Sequence, residues 1–154
     1  MLLFCFIDNL SIYDILTINY LGVIMERRKV NSIEEIWNKH KLIIKDFSNL
    51  DLEGLDLSKI PKRAWKNCIF DNTSFKNTGI KFDLKKLKYV HTRTTPYSKT
   101  FKLIMDCDFS NNDLRKVFKN LKNQDVEFVS CNFTNTNISE TICGYNNTLD
   151  SSCD

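Results

Sequence analysis

Six cysteines, two histidines and one acid-free run of six cations are the residues of this chain whose types could do chemistry. Six cysteines invite a disulfide framework, which requires an oxidising compartment and suitably placed partners. Cys68, Cys107 and Cys131, however, fill the same place in a repeated octet, where a small inward-facing apolar residue serves and a buried free thiol does this well. Packing is therefore their expected role. A zinc site is not expected, because there is no Cys-x-x-Cys pair and only His40 and His91 could add imidazole. No nucleophile stands at a meaningful spacing from a base, no glycine-rich phosphate loop is present, and the pair Asp106 and Asp108 reads as a solvated face. The expectation is no catalytic residue, no metal and no cofactor.

The cationic run lies in 84–105. It contains Lys85, Lys86, Lys88, Arg93, Lys99 and Lys102 with no acid, so it carries more positive charge than the net +3 of the whole chain. Tyr89, Tyr97 and Phe101 are interleaved with it, a composition suited to neutralising phosphates while stacking on bases. The same residues also fit a hairpin insertion, with strands at 86–92 and 99–105 around Thr94-Thr95-Pro96, whose lysines solvate an edge. Lys85, Lys86, Lys88, Arg93, Lys99, Lys102, Tyr89 and Tyr97 are thus the candidate anion or partner surface.

The elements that must position this run are short and repetitive. Cys68 to Phe75 recurs as Cys107 to Leu114 and Cys131 to Ile138, with a looser copy at Lys45 to Leu52. Apolar centres follow a stride of five: Phe47, Leu52, Leu57; Phe70, Phe75, Ile80; Phe109, Leu114; Phe128, Phe133, Ile138. A stride of five fits neither the helical period nor the alternation of a strand, so the chain must bend every five residues. Asp or Asn precedes the centre at 46, 51, 56, 108, 113, 132 and 137, and Asn49, Asn72, Asn111 and Asn135 share one place in the octet, where Asn suits a corner.

With these features the segment 45–145 resembles the pentapeptide-repeat family. The resemblance implies an all-β fold, a right-handed quadrilateral β-helix with four pentads per coil, the small and central residues pointing inward. A leucine-rich-repeat solenoid is the alternative, since Ile104-x-x-Cys107-x-Phe109-x-x-Asn112-x-Leu114 meets that template and Leu114, Val117, Phe118 and Leu121 continue at a helical period. Spacings of 23 and 24 between copies suit one coil, and the 39 between the second and third copies suits two coils or one with a long insertion. Breaks in the stride fall at 60–67, 83–106 and 117–125.

Ser32-Ile-Glu-Glu35 reads as a capping box, and Ile33, Ile36, Trp37, His40 and Ile44 fall on one helical face, so a capping helix is expected over 31–44. Residues 1–30 form an N-terminal extension and 146–154 a C-terminal tail. Met1 to Ile24 is apolar but interrupted by Asp8 and Asp14, which suits neither a signal peptide nor a membrane span. Met25 is read as the natural start, and a peptide from residues 1–24 at normal abundance in mass spectra of the native protein would contradict this.

A cytoplasmic, non-enzymatic scaffold or protein-interaction module with an unidentified protein partner is the functional expectation. Its alternative is an accessory protein that grips nucleic acid or acidic headgroups through 84–105. Solenoid ends pair end to end when uncapped, so a homodimer through one end is also envisaged. Some members of the resembled family look like duplex DNA and engage DNA gyrase. That role needs a continuous acidic rod, whereas 46–82 holds five acids against six bases.

Overall fold

The computed structural model describes residues 26–118 and 125–138. The segment 1–25 and the tail 146–154, with the expectations attached to them, lie outside the described residues. Among the described residues there are seven strands: β1 (Arg28–Lys29), β2 (Trp37–Asn38), β3 (Lys41–Leu42), β4 (Leu50–Asp51), β5 (His91–Thr94), β6 (Thr100–Met105) and β7 (Val126–Val129). They form three small sheets: β1 parallel to β4, β2 antiparallel to β3, and β5-β6-β7 with one antiparallel and one parallel pairing. Among the described residues one short α-helix, α1, covers Arg115–Phe118 and buries Val117 and Phe118.

The expected quadrilateral β-helix with a capping helix is corrected by this arrangement. Among the described residues there is no continuous or closed sheet, and two of the four strand pairings are antiparallel hairpins. The physical reason is the turning of the chain. A residue in the left-handed region recurs so often (Asn49, Asn67, Asn72, Asn77, Asn111, Asn135, with Gly54 and Gly79) that pairing between copies lasts one or two residues before the next bend. The N-terminal helix is likewise replaced, by a 3₁₀ turn at Ile33–Glu35 and the β2–β3 hairpin. The Ser32–Glu35 capping box nevertheless forms around this turn, and the Glu35 carboxylate accepts from the amides of Asn31 (2.8 Å) and Ser32 (3.2 Å).

Successive copies of the octet still lie side by side in parallel. Asp46 pairs with Ile69, Ser74 with Asp108, and Asp108 with Asn132. These partners are 23, 34 and 24 residues apart, so the middle step is five shorter than the 39 that aligns the motifs. The third copy is slipped by one pentad against the second. Phe109 therefore stacks on Phe75, at 5.4 Å between ring centres and 12° between planes, rather than on its sequence counterpart Phe70. Between the third and fourth copies the motifs are in step, and Phe109 stacks on Phe133 at 5.5 Å and 14°.

The slip also resolves the corner asparagines into two columns. Backbone hydrogen bonds from Asn49 to Asp71, Asn72 to Met105 and Asp106 to Val129 carry Asn49, Asn72, Asp106 and Ser130 in one column. Bonds from Gly54 to Lys76, Asn77 to Ser110 and Asn111 to Thr134 carry Gly54, Asn77, Asn111 and Asn135 in the other. All eight have positive φ, between 47° and 78°. In the first column Asn72 Nδ2 donates to Asn49 Oδ1 at 2.9 Å. The single column expected from sequence is thus two, offset by one bend.

Local chemistry explains the acid or amide before each centre. The side chains of Asp46, Asp51, Asp56, Asp108, Asp113 and Asn132 each accept from the backbone amide two residues on, at 2.9 to 3.2 Å, and so stabilise each bend in the manner of an Asx turn. The small slots are equally specific. Cys68, Cys107 and Cys131 are buried, and burial pushes the Cys68 thiol up to about 11. Thr73 and Thr136 use their hydroxyls to reach the carbonyls of Phe47 (2.8 Å) and Phe109 (2.9 Å) in the preceding copy. A buried hydroxyl in these slots is satisfied, which removes the desolvation cost of placing it there.

Candidate functional site

Residues 84–105 leave the stacked copies, form a hairpin, and return. The 3₁₀ turn Leu84–Lys86 is capped by Asp83, whose side chain accepts from the Lys85 amide. The chain then becomes β5 and β6, paired from His91↔Leu103 to Thr94↔Thr100. The first strand begins five residues later than the sequence implies. Beyond it, β6 pairs in parallel with β7 from Lys102↔Val126 to Met105↔Val129, which welds the hairpin to the strand that enters the fourth copy.

Most of the candidate surface residues engage this scaffold. Arg93 forms a two-pronged pair with Glu127, Nε to Oε2 at 2.9 Å and Nη2 to Oε1 at 2.7 Å. Lys99 pairs with Asp125 at 3.0 Å, and Lys86 lies 3.8 Å from Asp83. Arg93 and Lys99 also sit over the Phe101 ring, and Lys102 over the Tyr89 ring at 5.6 Å. Tyr89 is half-buried; its hydroxyl donates to the Leu84 carbonyl at 2.6 Å, and burial pushes its phenol up. Tyr97, at the tip, is 93% exposed. Lys85 and Lys88 are exposed, and among the described residues neither forms an ion pair. The eight residues thus lie on one hairpin and its base, with Arg93 paired to the buried Glu127 and Lys99 to the exposed Asp125.

At the root of the hairpin His91 Nε2 lies 2.9 Å from Asp71 Oδ2. Burial pushes the Asp71 carboxyl above the ordinary carboxylate range; His91 opposes this, while Asp106 and Asp46 reinforce it. The contact ties β5 to the second copy. Among the described residues no cluster of three or more His, Cys, Asp or Glu could hold a metal ion. No helix among them is long and apolar enough to cross a membrane.

A second cationic surface escaped the sequence reading. It lies where the β2–β3 hairpin faces the 3₁₀ segment Lys62–Trp65. Lys59, Lys62, Arg63 and Lys66 cluster there within eight residues, a legible signal masked by reading 60–67 only as a break in the stride of five. Scans against protein-family models, curated proteins and solved structures each return no match to this chain.

Proposed function

We propose that this chain is a non-enzymatic protein-interaction module that engages its partner through the β5–β6 hairpin. The observation that carries this reading is the edge of β5. Among the described residues β5 pairs only with β6, and all four residues His91–Thr94 are exposed. An open strand edge offers backbone donors and acceptors in register to an extended segment of another protein, while the exposed Tyr97 supplies a rigid aromatic anchor beside it. The base is held firmly by Arg93–Glu127, Lys99–Asp125 and His91–Asp71, which reduces the ordering cost of binding. Free buried thiols at Cys68 and Cys107 are compatible with a reducing, cytoplasmic setting.

Quantitative pulldown with the full chain, comparing wild type with Tyr97→Ala and Thr92→Pro, tests this reading. The expected result is a protein retained by wild type at about 0.3 M salt, where exposed charge contacts are largely screened, and lost from both variants. Equal retention by all three would contradict it. Salt-sensitive retention of nucleic acid lost in Lys85→Gln/Lys88→Gln would instead favour an anion-binding role for 84–105.

A further inference from the structure

The two residues at the tip of the β2–β3 hairpin are Lys39 and His40, with φ of 46° and 67°. A two-residue hairpin turn with both residues left-handed ordinarily uses Asn-Gly or Asp-Gly, because larger L side chains are strained there. Lys-His is a costly choice for such a turn, and strain of this kind concentrates where a side chain is needed in place. What His40 gains is its position. It lines two adjoining open clefts, of about 520 and 430 Å³, which share His40, Arg63 and Ala64.

Cations line both clefts, and no carboxylate does. The first adds Trp37, Pro61 and Lys59; the second adds Lys41, Lys45 and Lys66. Lys59 is partly neutralised by Asp56 at 3.1 Å, and Lys45 is anchored to the carbonyls of Ala64 (2.8 Å) and Lys66 (3.2 Å). Among the described residues the side chains of Lys41, Arg63 and Lys66 make neither a hydrogen bond nor an ion pair, in contrast to Arg93 and Lys99 of the β5–β6 hairpin. Two cationic lobes in succession suit consecutive phosphates. A partly exposed Trp37 beside Pro61 in one of them suits a flat ring between those phosphates.

We infer that this double cleft binds single-stranded nucleic acid, with Arg63, Lys41 and Lys66 on the phosphates, His40 at the junction and Trp37 against a base. The site is independent of β5 and of the reading built on it. It combines an electrostatic track with an aromatic platform, the pairing that lets a protein hold a single strand without reading its sequence.

Fluorescence anisotropy of a labelled oligo-deoxythymidine, titrated with the full chain between roughly 50 and 200 mM salt, tests the inference. Arg63→Gln/Lys66→Gln should weaken binding at least about tenfold at the lower salt. It should also flatten the plot of log affinity against log salt by about 1.4, since each phosphate contact on a single strand contributes about 0.7. Lys99→Gln/Lys116→Gln, which removes equal charge on the β5–β6 hairpin and α1, should change affinity less than twofold. Because Trp65 is buried, quenching of tryptophan emission on binding reports Trp37. His40→Gly should raise the melting temperature by relieving the turn while weakening binding. Melting of each variant separates loss of fold from loss of site. The inference is overturned by absent binding at low salt, by equal weakening in the two double variants, by unchanged affinity in His40→Gly, or by capture of anionic phospholipid vesicles without capture of the oligonucleotide.

Discussion

Asn111 and Asn112 are neighbours in sequence with unrelated duties. Asn111 is exposed with φ 58°, and its contribution lies in tolerating a left-handed bend. Asn112 is buried. Its Nδ2 donates to the carbonyls of Phe75, Phe109 and Ser110 at 2.8 to 3.0 Å, and its Oδ1 accepts from the amides of Thr78 and Gly79. It fills, across the slip, the slot opposite Thr78. Asn111→Ala should therefore cost about 1 kcal/mol, lowering the melting temperature by roughly 4 °C, whereas Asn111→Gly should be close to neutral. Differential scanning calorimetry checks both. A neutral alanine would contradict the assignment of the corner to backbone conformation. At this scale the sequence was most legible: Phe at the centre, Asp or Asn before it, and small residues in the slot all act through contacts within a few residues or one copy. The exception was the corner column, because membership in a column depends on which copy lies opposite, and spacing within one octet carries no such information.

Elements were harder to read. Ile33, Ile36 and Trp37 fit a helical face, yet the chain turns back at Lys39–His40, and Ile43 donates to the carbonyl of Ile36 at 2.8 Å. No turn signal is visible there, since neither residue is a usual occupant of a left-handed position. The hairpin at 84–105 was more apparent, because Thr94-Thr95-Pro96 punctuates two runs of strand formers. Its docking was not, because Glu127 is distant in sequence. Glu127 is only 7% exposed, so its charge depends on the Arg93 fork. Arg93→Ala should destabilise the fold by about 2 kcal/mol through the stranded carboxylate. Arg93→Ala/Glu127→Leu should recover most of that loss, since an apolar replacement for a buried ion pair is often well tolerated. Denaturant titration of the four proteins closes the cycle. A double variant as unstable as the single would show that Arg93 acts through its contact with Phe101 rather than through charge.

For the whole molecule the decisive quantity is the spacing between copies. A separation of 39 residues admitted two coils or one coil with an insertion, and the structure takes neither in simple form. The step is 34 residues, with the hairpin absorbed between copies and the third octet slipped by one pentad. The slip sets Phe109 on Phe75, seats Asn112 across from Thr78, and brings β6 against β7 so that the hairpin projects from the stack. Both proposed surfaces depend on the molecule's order of copies, since one is carried by the insertion and the other by the turns that flank the first copy. Long-range nuclear Overhauser effects read the register without any substitution. Asp108 donates to the Thr73 carbonyl at 2.9 Å and lies opposite Ser74, so a strong cross-peak between the Asp108 amide proton and the α-proton of Ser74 is predicted. A cross-peak from the Asp113 amide to the α-proton of Ser74, with none from the Asp108 amide, would mean that the motifs align in step and would contradict the slipped stack.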